Sequence, residues 1–102
     1  TAKILYSGDL GASLGCDYRR VEDFDDHIPF MRGFHERYMA SSAAIRTWSR
    51  LIRTLDIEMI APQHGALFEG KAMVTALLDW LDSLSCGIDL LPEEYRLPPP
   101  RL

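Results

Sequence analysis

Asp9 and His64 are the two side chains whose surroundings point most directly to shared chemistry. Each follows a short apolar run, Ile4-Leu5-Tyr6-Ser7-Gly8 before the aspartate and Ile57-Glu58-Met59-Ile60-Ala61-Pro62-Gln63 before the histidine. A carboxylate can bridge two divalent ions, and a neutral imidazole suits zinc or iron. If both runs are strands that end side by side, both residues stand on one rim of a sheet. That is where α/β proteins build their sites. An ion needs three or more ligands, so the pair makes only part of a metal site. On residue types alone a plainer reading prevails: Asp9 caps a turn, and His64 bonds to backbone in a tight corner.

The other titratable groups read as structural. His35, in Gly33-Phe34-His35-Glu36-Arg37-Tyr38, shares a helix face with Met39 and is expected to be a hydrogen-bonded core or boundary residue. Asp25-Asp26-His27 stands before Pro29 and reads as a solvated helix cap. Cys16 and Cys86 have no neighbouring histidine to activate them, so both are expected to be structural thiols. Tyr38, Trp48 and Trp80 sit at helical spacing and are expected in the core. The sequence has no dinucleotide-binding glycine motif, phosphate loop or serine nucleophile elbow.

Five elements are predicted to position Asp9 and His64. A strand over Lys3 to Tyr6 leads into a glycine-rich loop, and Cys16 to Asp26 reads as an exposed acidic loop. A helix then starts near Asp25 with Pro29 in its first position, and Phe30, Phe34 and Tyr38 form its stripe. Ser41-Ser42 can cap a second helix carrying Ile45, Trp48, Leu51, Ile52 and Leu55. Ile57 to Ala61 is the second strand, ended by Pro62, and Ala66 to Gly70 is a loop. A last helix runs from about Lys71 to Cys86, with Gly87 as its stop. The order β-α-α-β-α indicates an α/β layered domain. Two strands make a poor sheet, so further strand pairing is expected from a missing segment or a second copy.

Composition sets the outer limits. The chain has 102 residues, 47% of them hydrophobic and 25% charged, and a net charge of -4, which fits one folded domain or less. Its eleven Lys and Arg form no basic run, so no nucleic-acid surface is expected. No apolar run approaches the roughly 18 to 20 residues that span a bilayer, so no membrane partner is expected. Two distant cysteines are consistent with a reducing, cytoplasmic setting. The chain opens on Thr1-Ala2-Lys3 ahead of an apolar strand, which reads as the middle of a protein.

Taken in order, Leu5-Tyr6-Ser7-Gly8-Asp9 and Ile60-Ala61-Pro62-Gln63-His64-Gly65 resemble the second half of the metallo-β-lactamase fold. The resemblance is to its diiron branch, the flavodiiron proteins and the oxygen-binding diiron proteins that lack a flavodoxin domain. Gly8-Asp9-Leu10-Gly11-Ala12-Ser13 looks like the metal loop of the flavodoxin-free group. Phe30 to Met39 looks like its following helix, and Leu84-Ser85-Cys86-Gly87-Ile88-Asp89-Leu90 like its C-terminal end. The resemblance implies that residues 1–91 are the C-terminal half of such a domain, a partial αββα layer. Residues 92–102 are then a proline-rich tail, with no flavin domain expected after it.

By that resemblance Asp9 bridges two irons and His64 is a terminal ligand on one of them. The intact parent binds or reduces dioxygen, in oxygen sensing or detoxification, and its diiron centre makes it a candidate oxidoreductase. The family's histidine-rich ligand motif from the first half is absent here. The chain alone is therefore expected to be inactive and to hold little or no metal. Two other functions remain open. The chain can be half of a zinc-dependent hydrolase of the same superfamily, in which metal-bound hydroxide attacks a carbonyl. It can also be a non-catalytic fragment that forms a homo-oligomer through exposed sheet edges and aromatic helix faces.

Overall fold

Among the described residues there are six elements: β1 (Ile4–Gly8), α1 (Phe24–Tyr38), α2 (Ser42–Arg53), β2 (Met59–Pro62), β3 (Phe68–Glu69) and α3 (Lys71–Ser83). This computed structural model describes residues 3–87. Ile88-Asp89-Leu90 and the proline-rich tail lie outside the described residues. The α/β class expected from the sequence is the class observed, with one more strand.

β1 and β2 run parallel, with Leu5 opposite Ile60 and Gly8 opposite Pro62. β2 then pairs antiparallel with β3, Ile60 opposite Phe68, giving the order β1-β2-β3. The third strand lies in the stretch expected to be a loop. Two residues are too few for an alternating pattern, but Phe68 buries completely and draws them into the sheet. The acidic loop also departs from expectation. Arg20 bridges to Leu67, Val21 donates to the Leu67 carbonyl at 2.9 Å, and the Val21 side chain is buried.

Alternation assigns the two faces of the sheet. Leu5, Ile60 and Phe68 face the helices, and full burial of a side chain such as Ile60 or Phe68 is worth about 1.5–3 kcal/mol. Ile4, Tyr6, Met59 and Ala61 lie on the opposite face, where Tyr6 is 78% exposed.

α1 starts earlier than expected. Asp23 is its N-cap and accepts from the Asp26 N–H at 3.1 Å, so Asp25 and Asp26 occupy the first turn. Pro29 therefore sits inside the helix and removes the bond its N–H would make to the Asp25 carbonyl. The earlier start also rotates the buried face. His27, Met31 and His35 point inward, while Phe30 and Phe34 flank them and Tyr38 is 68% exposed.

Ser41 caps α2 as expected, accepting from the Ala44 N–H at 3.2 Å, which makes α1 and α2 two separate helices. On α2 the buried face is Ile45, Ser49 and Ile52; Trp48 packs partly against it, Leu51 is exposed, and Leu55, expected on this helix, lies exposed beyond its end. α3 buries Val74, Leu77, Leu78, Trp80 and Leu81, and it ends at Ser83, ahead of Gly87. Arg53 clips α2 to α3 through Asp79 at 2.7 Å and Asp82 at 2.8 Å.

Candidate metal centre

Parallel pairing decides where Asp9 and His64 stand. Gly8 and Pro62 are register partners, so the two residues leave neighbouring strands at the same rim. Both side chains are exposed there. The Gln63 N–H donates to the Gly8 carbonyl at 2.7 Å, just below them. Ser13 ties the two loops together above. Its N–H donates to the His64 carbonyl at 3.2 Å, and its buried Oγ accepts from the Ala66 N–H at 3.1 Å. Gly65 makes this contact possible. It sits at φ +91°, and a Cβ there would lie 2.0 Å from Ser13 Oγ.

Asp9 opens a tight turn. The Ala12 N–H closes it on the Asp9 carbonyl at 3.0 Å, and Gly11 holds the third position at φ +85°, as a type II turn requires. Ser7 Oγ donates to the Leu10 carbonyl at 2.6 Å. The Gly11 N–H donates to His35 Nε2 at 2.8 Å.

His35 is fully buried and uses both ring nitrogens. Nε2 accepts from an amide, so Nδ1 carries the proton and donates to the Met31 carbonyl at 2.8 Å. The ring is the neutral Nδ1–H tautomer, and burial pushes its pKa below the ordinary value. This is the hydrogen-bonded core histidine expected from the sequence.

His27 corrects its expectation. It is not part of a solvated cap, because the cap lies four residues earlier at Asp23 and position 27 faces inward. Its Nδ1 lies 2.6 Å from the Tyr18 hydroxyl, and its ring meets Phe68 edge-on at 5.6 Å. Among the described residues Nε2 has no hydrogen-bond partner, and burial lowers this pKa too. Cys16 is half-buried and Cys86 is buried in the core.

By chemistry and placement, the carboxylate and imidazole at the rim fit a zinc or iron ion. They do not complete a site: among the described residues no group of three or more His, Cys, Asp or Glu could hold a metal. A concavity of about 460 Å³ lies at the other end of the sheet, beside Ile4, Met59 and Glu69, and is not part of this rim. The roles of Ser7, Ser13 and Gly11 were missed in the sequence, because their partners are set by tertiary contacts. Gly11 and His35 are 24 residues apart, and Ser13 and Ala66 are 53 apart.

Residues 1–65 match the family described as ODP family beta lactamase. The matched segment takes in more than half of the 102 residues. This chain belongs to the ODP beta-lactamase family. Two solved members share its fold at high identity. One is described as the peroxy diiron species of chemotaxis sensor ODP, with 46% identity over 87% of this chain and a TM-score of 0.82. The other is the apo state of chemotaxis sensor ODP from T. denticola, with 44% identity over 87% of this chain and a TM-score of 0.81. This ODP-family chain spans 37% of the length of each. No curated protein matches it. The family agrees with the metallo-β-lactamase-like, diiron resemblance read from the sequence, but does not single out the flavodiiron branch. Among the described residues no helix is long and apolar enough to cross a membrane.

Proposed function

We propose that this chain supplies the C-terminal half of a metallo-β-lactamase-like diiron domain that binds dioxygen for sensing. Asp9 and His64 would be two of the residues that hold the irons in that reading. The remaining ligands come from outside this chain, from a first-half segment or from a second copy across an oligomer. When bound, the iron pair supplies reversible electron donation to dioxygen. The chain's own residues hold the carboxylate and the imidazole at one rim, with Ser13 fixing their loops against each other. The observation that carries the reading is the shared rim of Asp9 and His64 in a chain 46% identical to a solved diiron sensor. Sensing is favoured over reduction because both solved relatives are described as chemotaxis sensors.

Elemental analysis tests this. The chain is co-expressed with the portion of the solved sensor that it does not cover, with iron in the medium. About two irons per assembled domain are expected, falling sharply in Asp9→Asn and His64→Ala. Stoichiometric zinc instead of iron supports the hydrolase reading. Iron retained in both variants removes Asp9 and His64 from the site.

A further inference from the structure

A type II turn leaves its central peptide without a partner inside the turn. Here that peptide joins Leu10 to Gly11, one bond beyond Asp9. Two side chains approach it from outside. Ser7 Oγ donates to its carbonyl at 2.6 Å, and His35 Nε2 accepts from its N–H at 2.8 Å. His35 is itself fixed by its Nδ1–H bond to the Met31 carbonyl at 2.8 Å, inside α1. The Gly11 backbone is buried, so losing this acceptor leaves an orphaned amide. A flip of the central peptide, the motion that converts one turn type into another, breaks both bonds at once. It also aims a carbonyl at the bare lone pair of His35.

From this geometry we infer that His35 is a positioning residue for the metal ligand Asp9, acting with Ser7 by pinning the turn that presents the carboxylate. The connection runs from the rigid helix α1, through the imidazole, to the peptide beside Asp9. His35 does not touch the metal, because Gly11 occupies its only lone pair. Groups that orient a ligand in this way typically change metal affinity by about 10- to 100-fold when removed. The inference rests on the assignment of Asp9 to a metal, and the test separates the two.

Cobalt(II) is titrated into the chain co-expressed with the portion of the solved sensor that it does not cover, against a chromophoric chelator, and its visible absorption is recorded. In parallel, amide exchange at Gly11 is measured without metal. The variants are His35→Gln, His35→Leu and Ser7→Ala, with Asp9→Asn as the site control. Glutamine carries an acceptor at the same number of bonds from the backbone as Nε2, whereas leucine fills similar space with none. Expected are wild-type cobalt affinity and slow Gly11 exchange in His35→Gln. In folded His35→Leu, affinity falls about 10- to 100-fold and Gly11 exchange is fast. Ser7→Ala shows a smaller loss in the same direction. Equal loss in the glutamine and leucine variants assigns the effect to core volume and overturns the inference. So does a folded His35→Leu that binds cobalt normally. If the wild type binds no cobalt, or Asp9→Asn binds it equally, the metal assignment fails. Gly11 exchange then decides the pinning alone: slow in wild type and glutamine but fast in leucine sustains it, and no difference overturns it. Should His35→Leu not fold, His35→Gln and Ser7→Ala carry the same comparison.

Discussion

His27 and His35 both lose hydration when α1 packs, and that loss sets how the protein responds to acid. In the unfolded chain each takes up a proton near 6.5, and burial moves both below that value in the fold. Between the folded and unfolded values the unfolded chain binds more protons. Stability is therefore complete above about pH 6.5 and falls as pH drops through that window. Each histidine contributes at most about 1.4 kcal/mol per pH unit to the slope. Urea midpoints measured from pH 7.5 to 5 should decline, and His35→Gln should flatten the curve. A level profile in the wild type would contradict the burial described for both rings. Asp56 acts at lower pH. Lys3 and Lys71 bond to it and hold its carboxyl down at about 2, so its contribution is lost only as pH falls below the usual carboxylate range. The three groups are exposed, and salt screens their attraction.

At the scale of elements, two glycines give opposite predictions. Gly65→Ala places a Cβ against Ser13 in a backbone that L side chains rarely adopt. It should cost about 2 kcal/mol or more and separate the His64 corner from the Asp9 turn. Gly33 lies in α1 with open space where its Cβ would be. Gly33→Ala should stabilise by up to about 1 kcal/mol, through lost freedom in the unfolded chain. Thermal melts of the two variants beside wild type check both signs. β3 depends on one side chain. Phe68→Ala removes the fully buried ring that meets His27 and Phe24, and it should cost about 3–5 kcal/mol. A loss below about 1 kcal/mol would mean that β3 is held by its backbone bonds instead.

For the whole molecule, the sheet is covered by helices on one face and carries Ile4, Tyr6, Met59 and Ala61 on the other. β1 is also an edge strand, with half of its ladder groups unpaired by β2. In the function proposed above, a first-half segment or a second copy covers this surface. Light scattering of the chain alone should give a mass above the 11.6 kDa of one copy. Tyr6→Lys should shift that mass toward one copy while leaving the far-ultraviolet spectrum unchanged. A single-copy mass at micromolar concentration would defeat the oligomer.

Local physics wrote much of this structure directly into the sequence. The apolar runs ending in Gly8-Asp9 and in Pro62-Gln63-His64 specify two strands and the residues at their ends, because a strand's pattern and its stops lie within a few positions. Ser41 specifies the second helix start for the same reason, and the ordered motifs carry the family. Tertiary structure decided what depends on distant partners. Which face of α1 is buried turned on Asp23 capping the helix ahead of Asp25, and this moved His27 from the solvent into the core. β3 exists because a two-residue strand is stabilised by Ile60 and the buried Phe68 pocket, and not by its own pattern. The turn at Asp9 is pinned by His35 from 24 residues away, a contact that no local propensity encodes.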